Sequence, residues 1–190
     1  AVGPALGKAL IAAGHQVTEA APSIDVEAYD RATGVVWSVG AAEQADALAA
    51  MSGRAVGPDT VEPANRRYAE AGRRCTAVEL SAALGVFDQV CLAAGRFWES
   101  HDLLITPTSP TPSVPLSFLD PADEDATFDQ WLERVASFEV FTSLWNVTGD
   151  PAVSLPLARS ANRLPLGIQV IAPLGHDDRL VRLAAWLEQA

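Results

Sequence analysis

The chain is short of the residues on which most enzyme chemistry depends. Lys8 is its one lysine, the other basic residues are arginine, and the 190 residues include three histidines and two cysteines. A Ser–Lys arrangement would have to use Lys8, which lies at helical spacing near the start of the chain and reads as a solvated surface residue. His15, His101 and His176 fall at element boundaries with no partner pattern, and no Gly-x-Ser-x-Gly elbow is present. Metal-site spacings are also missing: there is no HExxH, no Cys-x-x-Cys and no aspartate series of a calcium loop. The glycine-containing stretches GVVWSVG and GRAVG stand in the wrong context for a phosphate cradle. The residues alone therefore predict no catalytic residue, no metal and no cofactor.

Positive charge is scarce too. Thirteen basic residues against 24 acidic ones give a formal net charge of −11, which argues against nucleic acid or an anionic membrane as partner. No apolar run reads as approaching the length of a membrane span and no cleavable signal pattern opens the chain, so the expected setting is cytoplasmic. Cys75 and Cys91 read as buried thiols outside any disulfide framework.

What is present supports a real core. Apolar residues make up 49% of the sequence, enough for one ordinary domain over 1–190. The opening AVGPALGKALIAAGHQV starts without Met and reads as a helix entered part-way, with Val2, Leu6, Leu10 and Ala13 at helical spacing and Gly14 as its stop. HQVTEA alternates and predicts a short strand. Residues 26–51 are helical in pattern, with Gly34 and Gly40 predicting a kink or two pieces. A short basic helix is expected around 66–72. The clearest helix spans 77–99: Thr76 and Glu79 form a capping box, and Leu80, Leu84, Phe87, Cys91, Ala94 and Trp98 predict its buried face. LLIT reads as a strand covered on both faces, and the acidic DPADED run at 120–125 as a solvated loop. A helix or helix pair dense in aromatics covers 127–146. Strand, turn (SANR, with Asn162), strand and a helix led by Asp177 and Asp178 complete the chain. These elements predict an α/β fold, a layered mixed β-sheet covered by helices.

In order, DLLITPTSPTPSVP, FTSLWNVTGDPAVSLPL and LPLGIQVIAPLGHDDRLVRLAAWLE resemble the C-terminal part of amidase-signature hydrolases. WSVGAAEQADALAAMSGR is most similar to the branch containing 6-aminohexanoate-cyclic-dimer hydrolases. The resemblance implies amide hydrolysis by a Ser–cis-Ser–Lys triad whose members all lie upstream of residue 1, leaving this chain as a C-terminal portion, inactive alone. It also implies that Val140, Phe141, Leu144 and Trp145 line the substrate pocket, with Trp37 as a second wall. The implied partners are a small-molecule amide in the intact enzyme and the missing N-terminal half, with a homo-oligomer left open. The NVTGDPA segment is expected to be an architectural turn in which Gly149 supplies a positive φ and Asn146 and Thr148 bond turn backbone groups. The competing reading is a stand-alone, non-catalytic module that binds a small apolar amide or a protein.

Overall fold

The computed structural model of the protein describes residues 2–187. They form two compact units, each built from separated stretches: Ala1–Ser23, Val90–Ser113 and Glu139–Ala190 in the first, Ile24–Gln89 and Val114–Phe138 in the second.

The first unit carries the sheet. Strands β1 (Leu104–Pro107), β2 (Ala152–Arg159) and β3 (Pro165–Ile171) lie in the order β1-β3-β2, with β3 antiparallel to both neighbours. No parallel pair is therefore contributed by these strands to the expected mixed sheet, while the layered α/β arrangement holds. Side chains alternate between the faces. Ile105, Val153, Leu155, Ile168 and Val170 point to one face and pack against α1 (Val2–Ala12) through Leu6 and Leu10, and against α7 (Asp177–Leu187) through Leu180, Leu183 and Leu187. The side chain of Val2 and the expected helix at 188–189 lie outside the described residues. Pro156 lacks the N–H a regular ladder needs, and the β2–β3 register shifts between Leu155 and Ala158. Full burial falls on β3, where Ile168 to Ile171 are all buried; the LLIT strand is instead at the edge of this sheet and half-buried.

Caps explain several boundaries. Gly14 ends α1 at φ 93°, and the N–H of His15 returns to the carbonyl of Leu10. HQVTEA forms no strand: it is exposed along its length and pairs with none of the described strands. In the β2–β3 hairpin the left-handed residue is Arg163, at φ 62°, rather than Asn162. Asp177 and Asp178 occupy the first turn of α7 as expected.

The second unit is helical. α2 (Val26–Ser52) is one continuous helix, capped by Asp25 accepting from the N–H of Ala28 and closed by Gly53 at φ 66°. The helix does not divide into two pieces at Gly34 or Gly40; a Cβ at Gly34 would make only ordinary contact with Leu132, 3.6 Å away. α3 (Pro63–Arg74) lies against α2 through small residues, Ala42 and Ala45 meeting Ala69. At Gly72 the backbones approach so closely that a Cβ would overlap the carbonyl of Ser38. α5 (Phe128–Phe138) starts at a second capping box, Thr127 with Gln130. The acidic run at 120–125 is a largely exposed loop, as expected, and arginines hold it in place. Arg67 donates to the carbonyls of Asp123 and Glu124, Arg66 pairs with Glu124, and Arg134 with Asp123.

α4 (Ala77–Trp98) belongs to the second unit up to Gln89 and to the first from Val90. The Thr76–Glu79 capping box is formed in both directions. Its buried side chains are Ala83, Val90, Ala94 and Phe97; Leu84 and Cys91 are exposed, so the expected face is displaced by about one position. The thiol expectation changes with it, since Cys91 is exposed and Cys75 half-buried, neither in a disulfide. Contrary to the sequence reading, α4 is long and apolar enough, by length and composition, to cross a membrane.

Candidate functional site

The implied pocket residues fall in both units. Val140 and Phe141 lie between α5 and α6 (Ser143–Thr148), and Leu144 and Trp145 lie on α6, in the first unit. Trp37 lies on α2 in the second, with 55% of its surface exposed.

Within the first unit, one backbone atom organises the segment. The carbonyl oxygen of Phe141 accepts from the indole Nε1 of Trp145 at 3.0 Å and from the amide Nε2 of Gln169 at 2.7 Å. Gln169 is buried on the central strand and also donates to the hydroxyl of Thr106 at 3.2 Å. This network runs from the sheet face opposite α1 and α7 into the start of α6. Trp145 is itself buried and tilted against the ring of Trp98, with centroids 5.9 Å apart. Phe141 and Leu144 are half-buried and Val140 is exposed, so Trp145 supports a surface that the other three present.

The turn after α6 is held from inside. Gly149 takes φ 74° and its N–H returns to the carbonyl of Trp145. Thr148 accepts from the N–H of Asp150 at 3.4 Å, as anticipated for its hydroxyl. The stronger anchor is Asp150, buried, which accepts from the indole of Trp98 and from the N–H of Leu174, each at 3.0 Å. A buried carboxylate with two donors is a fixed support. Burial also pushes the carboxyl of Glu139, next to Val140, above its ordinary range.

Asp150, Gln169 and Glu139 escaped the sequence reading. The available signals were slight: a single amide inside the apolar run PLGIQVIA, and an acid wedged between Gly149 and Pro151. On the same sheet face, the hydroxyls of Thr108 and Ser154 are 2.6 Å apart, over Gly167.

These groups can bind and orient, but they do not assemble a nucleophile. The nearest approach is Ser100 Oγ, 3.0 Å from His101 Nδ1. That nitrogen is also 3.0 Å from the carbonyl of Phe97, an acceptor only, which places the proton on Nδ1. It cannot then take a proton from Ser100. Among the described residues no hydrogen bond joins a hydroxyl to Lys8.

The chain has counterparts among known proteins. The family model described as Amidase matches residues 5–181. The chain belongs to the amidase family. It is similar to 6-aminohexanoate-cyclic-dimer hydrolase from Paenarthrobacter ureafaciens, 28% identical over 187 residues, which cover 96% of this chain and 38% of that protein. A putative amidase AmiC of Mycobacterium leprae is 39% identical over 94 residues, covering 50% of this chain and 19% of its relative. The solved structure of 6-aminohexanoate cyclic dimer hydrolase complexed with substrate superimposes with a TM-score of 0.79 at 27% identity, over 98% of this chain and 40% of that one. This amidase chain thus spans about two fifths of the length of the relatives it matches end to end, and corresponds to their C-terminal portion.

Proposed function

We propose that this chain is the C-terminal portion of an amidase of the Ser–cis-Ser–Lys type, supplying sheet strands and the wall of the amide-binding pocket while nucleophile and base come from an N-terminal portion. The observation that carries this reading is the end-to-end likeness to 6-aminohexanoate cyclic dimer hydrolase, over 98% of this chain but only 40% of that one. The absence of an assembled nucleophile among the described residues agrees with it. Alone, the chain is then inactive, and a cytoplasmic setting is consistent with two cysteines outside any disulfide.

In this reading Val140, Phe141 and Leu144 meet the substrate and Trp145 holds them in position. A largely apolar amide would be selected by shape. One methylene more or less changes such discrimination by only about 1–3 kcal/mol, so the walls tune specificity more than they create it.

The test is turnover of a panel of linear and cyclic amides, 6-aminohexanoate cyclic dimer included. The chain alone is compared with a longer form carrying an amidase N-terminal portion. Turnover by the longer form only is the expected result. In that form Leu144→Ala should shift the ranking of substrates more than it lowers the best rate. Genuine turnover by the chain alone would overturn the assignment.

A further inference from the structure

The second unit holds a cavity of about 470 Å³ between the C-terminal half of α2, the connector after Gly53 and one face of α3. That is within the range of about 300–1,000 Å³ typical of small-molecule sites. Its apolar floor is formed by Ala49 and Val56, the latter packed on the alanine cluster that joins α2 to α3. Its charged walls are Arg66, Glu70 and Arg73, spaced four and three residues apart on α3 and so on one face, together with Asp46 of α2.

The charges are unevenly committed. Arg73 Nη2 pairs with Asp46, and Arg66 donates to the carbonyl of Val61 through Nε and to Glu124 through Nη2. A guanidinium has five N–H donors, so both retain unused ones. Glu70 makes no hydrogen bond or ion pair among the described residues. A simple anion would gain the spare guanidinium donors but be repelled by Asp46 and Glu70. A simple cation would gain Glu70 but be repelled by Arg66 and Arg73. A molecule with both charges at the ends of a short alkyl chain offsets the repulsion by Glu70 and by the two arginines, leaving only that between its carboxylate and the paired Asp46, and can lay its methylenes on Ala49 and Val56.

We infer that this cavity binds a short aliphatic zwitterion, its carboxylate on Arg66 and Arg73 and its ammonium on Glu70. The source of such a ligand rests on the amidase reading, whereas the charge argument does not. Hydrolysis of a cyclic amide adds water across the C–N bond and leaves carboxylate and ammonium on one molecule, so the ligand class coincides with the product class.

Calorimetric titration of the 190-residue chain with 6-aminohexanoate, hexanoate and hexylamine tests this. Saturable binding of 6-aminohexanoate is expected at a Kd on the order of millimolar, about three- to fivefold tighter than either single-charge analogue, because the contacts are partly exposed. Glu70→Gln, which breaks no bond in the structure, should weaken 6-aminohexanoate and tighten hexanoate, so that the preference for the zwitterion is lost. Arg73→Gln should weaken both, with melting curves confirming that each variant is folded. No saturable binding, equal binding of all three probes, or a Glu70→Gln variant indistinguishable from the parent would overturn the inference. The titration requires no turnover. Binding by a chain whose longer form fails the amide panel would sink only the amidase reading, and an active longer form without binding would sink only the cavity.

Discussion

Two glycines show how a missing methyl group can cost different amounts. At Gly72 an added Cβ would lie 2.0 Å from the backbone oxygen of Ser38, and neither helix can yield locally. At Gly167 it would meet the hydroxyls of Thr108 and Ser154 at 2.6 and 2.8 Å, which are side-chain ends able to rotate away. Gly72→Ala should therefore destabilise by about 3 kcal/mol or more, and Gly167→Ala by about 1–2 kcal/mol. Adding Thr108→Ala to Gly167→Ala should recover part of the loss, whereas truncating Ser38 cannot rescue Gly72→Ala because the obstacle is main chain. Urea denaturation of the four proteins checks both statements.

Carboxylates divide in the same way. Glu139 is raised by burial, so its neutral form suits the folded state; the stability this supplies is complete below the ordinary carboxylate pKa of about 4 and lost as pH rises through the raised value. Asp123 is lowered, first by the hydrogen bond from Arg134 and then by the N–H groups of Ala126 and Asp125; its contribution is present above the ordinary value and lost as pH falls through the lowered one. Glu139→Gln should accordingly raise Tm at neutral pH, with the gain disappearing on acidification. Asp123→Asn should lower Tm at neutral pH, with the loss shrinking in acid. The same sign for both variants would contradict these assignments.

Among the elements, helix ends were the most legible in advance. A capping box is a local contract between two side chains and two N–H groups, so Thr76 and Glu79 could be read without knowing the fold, and both bonds are present. Thr76→Ala should cost about 1 kcal/mol in chemical denaturation, with loss of helical signal on the same transition. Strands were legible where an apolar run or a hairpin marked them, as LLIT does for β1 and the SANR turn does for β2 and β3. HQVTEA has the alternation of a strand but no neighbouring ladder, and alternation supplies no hydrogen bonds. The face of α4 was misread by one position because apolar residues surround most of that helix, and periodicity loses its direction when nearly every position is apolar. Gly34 and Gly40 suggested a break because glycine weakens a helix by itself, yet the helix runs unbroken from Val26 to Ser52. For the candidate site, the aromatic segment was visible, whereas its supports were not. Asp150 and Gln169 act through Leu174, Trp98 and the carbonyl of Phe141, partners from 24 to 52 residues away.

At the scale of the whole molecule, large apolar side chains remain uncovered. Leu48, Met51, Val78 and Leu92 are exposed at 59%, 84%, 79% and 53%, and Trp37 at 55%. Surface of this kind is a docking or aggregation liability in an isolated chain. The purified protein should bind an apolar fluorescent dye in the absence of denaturant, and its sedimentation coefficient should rise with concentration. A monomer silent to the dye at all concentrations would mean that the exposed side chains are too scattered to act as a patch.

The order of strands along the sheet has a bearing on how the protein is made. β3, the strand that joins the other two, is the last of the three to leave the ribosome, some sixty residues after β1. Until then Leu104–Pro107 has no partner, and α1 waits even longer for Leu187. The helical second unit closes with Phe138, so vectorial synthesis should yield a folded helical body trailing an unpaired strand. Slow codons or a chaperone acting between about residues 140 and 170 would therefore govern the yield of native protein more than any change made in the helices.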